Sequence, residues 1–129
     1  MTFDLWALFA TLVLAMVQIG LASILTVRQL GPDWVLGPRD QPRETSGRTG
    51  RVVRAHRNLL EIFPQFVAAL LIIHFAGEAG QLSAVGAWTF FVGRLLYVPA
   101  YVFGPTGLRP LCWQIGQVGI LIILADIFF

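Results

Sequence analysis

Apolar residues fill four long stretches of this chain, and the polar residues among them recur at helical intervals. The first stretch runs from about Phe3 to Val27, with Asp4 and Gln18 as its main interruptions. The second covers Leu59 to Ala76, the third Leu82 to Phe103 around a lone Arg94, and the fourth starts at Leu111 and continues to Phe129. A helix needs about 20 residues to cross a bilayer. In hydrocarbon only a helix or a closed barrel satisfies its own backbone. The pattern therefore predicts an all-α integral membrane four-helix bundle. We expect a single domain over residues 1–129, with helices at about 3–29, 50–76, 82–103 and 110–128.

The polar positions sharpen this picture. Arg54, Arg57, Asn58 and Glu61 fall at i, i+3, i+4 and i+7 where the second helix begins, so they share one face. Lipid does not tolerate such a stripe, and it must face protein, water or a polar ligand. Arg94, Tyr97 and Tyr101 repeat the arrangement on the third helix, and Arg109 stands at the entrance to the fourth. Antiparallel helices bring these groups to one end of the bundle, where Arg28 leaves the first helix. Several guanidiniums around one carboxylate suit a small polyanion that carries an ammonium group, because Arg binds carboxylates bidentately and Glu61 accepts from an amine. The competing expectation is structural, with Glu61 paired to Arg54 or Arg57 and Asn58 bridging helices.

Composition agrees with a membrane setting: 57% of residues are hydrophobic and 12% charged, where a soluble domain carries about 25% charged. All nine basic residues are Arg. Five of them, Arg28, Arg39, Arg43, Arg48 and Arg51, lie in or beside the first connection, and the second connection has none. The positive-inside rule then sets the first and third connections in the cytoplasm and both termini on the opposite side. The net charge of +2 and pI near 9.3 record this rim and its attraction for anionic lipids, not a nucleic-acid partner. The N-terminus lacks a basic region and cleavage site, so the first helix is expected to be retained. One cysteine, Cys112, allows neither an internal disulfide nor a cysteine zinc cluster, and no metal site is expected.

Outside the stripes, Gln18, Gln114 and Gln117 are expected to hydrogen-bond between helices, and His56 and His74 to fill core or interface positions. Trp6, Trp34, Trp88 and Trp113 are expected at the membrane interface, and Asp126 to reach headgroups or water. The first connection, about residues 29–50, is long for a helix–helix link. Its Leu36-Gly37-Pro38-Arg39-Asp40 run predicts a structured turn in which Asp40 caps or pairs with Arg39.

The run Arg54-Ala55-His56-Arg57-Asn58-Leu59-Leu60-Glu61-Ile62-Phe63-Pro64 resembles the second-helix signature of the MAPEG family, the membrane-associated proteins in eicosanoid and glutathione metabolism. Val92 to Tyr101 is similar to the family's third helix, especially in microsomal prostaglandin E synthase, and Leu108-Arg109-Pro110 falls where the family has an Arg opening the fourth. The resemblance implies a homotrimer with glutathione between neighbouring subunits on the cytoplasmic side. It implies that Arg54, Arg57, Asn58 and Glu61 hold glutathione, joined by Arg94, Tyr97 and Tyr101 from the third helix and Arg28 from the first. Arg109 matches the Arg that stabilises the thiolate. Two departures argue against prostaglandin isomerisation: Tyr97 stands in place of His, and Pro110 in place of a hydroxyl residue. The Gly-Pro-Arg-Asp loop is similar to prokaryotic members, which implies a bacterial inner membrane and a detoxifying enzyme like microsomal glutathione transferase. Such an enzyme attacks lipophilic electrophiles or reduces lipid hydroperoxides. Two alternatives stand beside it: a non-catalytic lipid- or glutathione-binding scaffold of the same family, and a small multidrug exporter. The exporter is disfavoured because the embedded charges are mainly basic.

Overall fold

The computed structural model describes residues 1–129. It is all-helical, in the order α1 (Phe3–Leu30), α2 (Pro32–Leu36), α3 (Gly47–Ala76), α4 (Gln81–Val102) and α5 (Leu108–Ala125), with a closing 3₁₀ turn at Asp126–Phe128. Four helices are long and apolar enough to cross a membrane. At about 1.5 Å per residue, the 28 residues of α1 reach about 42 Å. Their outward faces are apolar: Phe9, Met16, Val17 and Ile24 on α1, and Leu71 and Ile72 on α3, are all exposed. Such surfaces need lipid or another protein as solvent. The chain is an integral, multi-pass membrane protein.

Each helix stops for a local reason. Gly31, at φ 87°, ends α1, and Pro32 then opens α2 at a position where its missing N–H costs nothing. Gly77, at φ 78°, ends α3 in the left-handed conformation, with Glu78 N–H reaching back to the Ile73 carbonyl at 3.1 Å. The N-terminus of α4 is closed from a distance. One oxygen of Asp126 accepts from the backbone N–H of Gly80 at 3.0 Å and of Ser83 at 2.8 Å. Asp126 is buried, which corrects the expectation that it reaches headgroups or water: a carboxylate at a helix N-terminus satisfies orphan donors and the dipole together. At the same end His74 of α3 meets Asp4 of α1 at 2.7 Å.

The core between α1, α3, α4 and α5 is built on Phe66 and Phe90, whose rings stack at 4.0 Å, with Ala7, Ile62, Leu70, Ile73 and Ile123 around them. Against α5, α4 lies backbone to backbone. A Cβ on Gly119 would sit 2.5 Å from Phe90 N and 2.6 Å from Gly86 O, and one on Gly93 2.8 Å from Gly116 N. Small residues are what permit this approach between membrane helices. We expect Gly119→Ala to force α4 and α5 apart and cost about 1–3 kcal/mol, read as a lowered unfolding midpoint in detergent. An unchanged midpoint would show the contact to be compliant.

Two sequence expectations fail in detail. Gln18 is buried, yet its side-chain oxygen has no partner in the chain. Arg39 donates from both Nε and NH2 to the Val35 carbonyl, at 3.0 and 2.8 Å, and forms no pair with Asp40.

Candidate functional site

At the end of the bundle opposite the termini, α3, α4 and the start of α5 enclose a cleft of about 260 Å³. It is lined by Arg54, Arg57, Asn58 and Glu61 from α3, Tyr97 and Tyr101 from α4, and Arg109 from α5. The inward face of α3 carries Val52, Ala55, Leu59 and Ile62 into the core. With that face fixed, the i, i+3, i+4, i+7 stripe is turned outward, and Arg54, Arg57 and Glu61 are exposed. Nothing in the chain neutralises them, because the Asp4–His74 contact is the sole ion pair. The pairing of Glu61 with Arg54 or Arg57 that a structural role would require is not formed.

Tyr101 organises the floor. Its hydroxyl accepts from Arg54 Nε at 2.9 Å, and the Arg109 guanidinium lies 4.7 Å from its ring centroid. Tyr97 packs edge-on to it with centroids 5.8 Å apart. Aromatic faces hold guanidiniums by their quadrupole while leaving the N–H edges free to bind. Arg51 lies alongside and donates to the Val102 carbonyl at 3.0 Å, tying α3 to the end of α4.

Arg94 is not in the cleft lining. It is 1% exposed and lies behind the cleft, where NH2 donates to Asn58 Oδ1 at 2.9 Å and the guanidinium covers the Tyr97 ring at 4.4 Å. Its Nε and NH1 have no partner in the chain. With its oxygen so engaged, Asn58 offers the cleft its amide NH₂. Thus Asn58 does bridge two helices, as the structural expectation held, and lines the cleft as well. Arg28 stands apart: it is exposed at the end of α1 and lines neither the cleft nor the hollows beside it.

Next to the cleft, and sharing Asn58, Tyr97 and Arg109 with it, is a hollow of about 320 Å³ closed by Pro110 and Trp113. Trp113, expected only as an interfacial anchor, thus borders the site. Its i+4 spacing from Arg109 is the signal that places both on one face of α5. Cys112 is buried against Ala55, Tyr97 and Ala100, and His56 is buried with both ring nitrogens unpartnered. Neither faces the cleft.

A family model for the MAPEG family matches residues 7–129. The chain belongs to the MAPEG family. No curated protein and no solved structure matches it. MAPEG proteins include glutathione transferases and related proteins, and members bind glutathione as a cosubstrate. The cleft of this MAPEG chain presents three guanidiniums without carboxylate partners and one carboxylate without a cationic partner.

Proposed function

We propose that this MAPEG protein is a membrane-bound glutathione-dependent transferase, with reduction of lipid hydroperoxides as an allied reaction. The observation that carries the reading is the cleft, where Glu61 and three arginines converge without pairing with one another. These four side chains are exposed and have no ionic partner in the chain, so they are free to engage a ligand of complementary charge. Arg54 and Arg57 take the tripeptide's carboxylates, Glu61 accepts from its amine, and Asn58 donates to its backbone. Arg94 acts as a positioning residue through Asn58.

Bound glutathione supplies the nucleophilic sulfur, which forms a bond to the electrophile as the leaving group departs with its electron pair. Arg109 stabilises the sulfur in its ionised form by donating to it, and the thiol proton leaves through the open cleft to water. The hollow lined by Tyr97, Pro110 and Trp113 takes the lipophilic substrate from the bilayer side, and no side chain becomes covalently modified. Arg54, Arg57 and Glu61 are exposed on the outside of a single chain at the border of the membrane, which supports an assembly in which neighbouring copies, as a homotrimer, cover them. Arg28, distant from its own chain's cleft, is then free to serve a neighbour's. The arginine-rich end lies in the cytoplasm and both termini on the other side of a bacterial inner membrane.

Glu61→Gln tests the reading. It keeps the shape and removes the charge that meets the amine, so glutathione affinity should fall by about tenfold or more. Affinity for a glutathione analogue lacking the amine should stay unchanged. Titration of the purified protein with both ligands decides it; equal losses for the two would remove Glu61 from the ligand site.

A further inference from the structure

A second basic hollow, of about 400 Å³, lies between the first connection and α3. Its charged lining is Arg39 and Arg43 from the connection, Arg54 and Arg57 from α3, and one carboxylate, Glu44. None of these five groups is in an ion pair. Four guanidiniums around one hollow repel one another, and the connection that carries two of them must be held in place.

The connection's own contacts supply that restraint. Trp34 Nε1 donates to the Gln41 carbonyl at 2.7 Å, and the Arg39 guanidinium lies 5.6 Å from the Trp34 ring centroid. Arg39 itself sits at φ 57°, a left-handed conformation that costs a side-chain-bearing residue roughly 1–2 kcal/mol. The far end of the connection is pinned to α1, where Ser46 N–H donates to Gln29 Oε1 at 2.9 Å. Gly50 lets the connection lie flat on α3: a Cβ there would stand 2.8 Å from the Thr45 carbonyl and 3.1 Å from Arg54 NH1. Backbone strain and like-charge repulsion are thus maintained at one place, as in a preorganised ligand clamp.

The surroundings specify the ligand. Thr26 and Leu30 of α1 form another wall, and on that same face the exposed surface of α1 continues apolar through Ile19, Met16 and Leu12. Arginines sit above and a greasy helix runs below, the order of a phospholipid from phosphate to acyl chain. Guanidinium forks match phosphate oxygens in pairs. We propose that this hollow is a second anion site, centred on Arg39 and Arg43 and bordering the cleft at Arg54 and Arg57, that takes a phosphate group at headgroup depth. The phosphate belongs either to an anionic phospholipid or to a soluble phosphate ester.

Arg43 is the residue to change, because it makes no hydrogen bond or ion pair in the chain and lies outside the cleft. Arg48→Glu is the matched control. It makes the same change in net charge, but Arg48 lies outside the hollow, over the Phe103 ring at 5.1 Å. The full-length protein is placed in phosphatidylcholine nanodiscs containing a minority of phosphatidylglycerol, and native mass spectrometry counts the lipid it retains. In parallel, inorganic phosphate is titrated into protein in pure phosphatidylcholine nanodiscs. Arg43→Glu should reduce phosphatidylglycerol retention, or phosphate affinity, by about tenfold or more, while Arg48→Glu changes either by less than about twofold. Loss in the lipid arm alone assigns the site to a phospholipid, and loss in the phosphate arm assigns it to a soluble ester. Equal effects of the two variants, or none in either arm, overturn the proposal. Saturable glutathione binding by Arg43→Glu confirms that the variant is folded, with any shift in its affinity carried by the shared Arg54 and Arg57.

Discussion

Arg109→Ala is expected to leave the bundle folded and to remove nearly all ionised glutathione at neutral pH. A free thiol with pKa about 8.5 is about 3% thiolate at pH 7. Lowering that pKa by about two units takes roughly 2.7 kcal/mol of selective stabilisation and raises the thiolate fraction to about three-quarters. One hydrogen bond from a charged donor contributes about 1.5–3 kcal/mol, so a single guanidinium nearly accounts for the whole shift. The bound-thiolate ultraviolet absorbance at pH 7 should therefore fall about 25-fold in the Ala variant. Turnover with a generic aromatic electrophile should fall at least as far. The sign with pH is fixed: the thiol loses its proton as pH rises, so the variant should approach wild type above about pH 8.5. Arg109→Lys, which keeps the charge and loses the planar fork, should fall between the two. The fold is spared because Arg109 is exposed and its contact within the chain is the Tyr101 ring face. Thiolate absorbance that survives at pH 7 in Arg109→Ala would assign sulfur ionisation to another donor, Arg54 or Tyr101.

The four long helices could be read from the chain because lipid imposes a one-dimensional rule: an apolar run of spanning length must be helical. The stripe on α3 was equally legible, since a helix fixes which residues share a face, and those four residues do line one cleft with Tyr97, Tyr101 and Arg109. What helical spacing could not reveal was depth. Arg94, Tyr97 and Tyr101 share a face of α4 by spacing alone, yet Arg94 lies beneath the cleft and Tyr101 at its surface. The rotation of α4 is set by the glycine contact with α5, a tertiary fact. Tertiary contacts also decide Asp126, expected at headgroups or water, and Asp4, for which helical spacing predicts no role. Each meets a partner far away in sequence, the N–H groups of Gly80 and Ser83 for one and His74 for the other. No local pattern announces such a pair. The folding of the first connection into α2 and the left-handed Arg39 likewise depends on hydrogen bonds to Val35 and Gln41. A glycine- and proline-rich segment alone predicts only a turn.

The burial of Arg94 leads to an asymmetric expectation for two neighbours that share one hydrogen bond. Asn58 Oδ1 is the one acceptor that this buried guanidinium has in the chain. Asn58→Leu therefore strands a charge in an apolar interior, and removing one side of such a contact costs of order 3 kcal/mol. Arg94→Leu removes the charge itself. It leaves an amide whose oxygen lies beside an open cleft, where water satisfies it, and Leu fits a site walled by Gly116, Phe90 and Tyr97. Arg94→Leu should thus lower the unfolding midpoint less than Asn58→Leu. The double variant should be more stable than Asn58→Leu alone, because the second change relieves the burden created by the first. Thermal unfolding of the three variants in one detergent measures this. Additive losses would mean that Arg94 finds its stabilisation elsewhere, at its Nε and NH1 groups. Glutathione affinity separates position from stability: Arg94→Leu frees Asn58 to turn and should weaken binding although Arg94 itself does not line the cleft. Unchanged affinity in a folded Arg94→Leu variant would reduce Arg94 to a packing role.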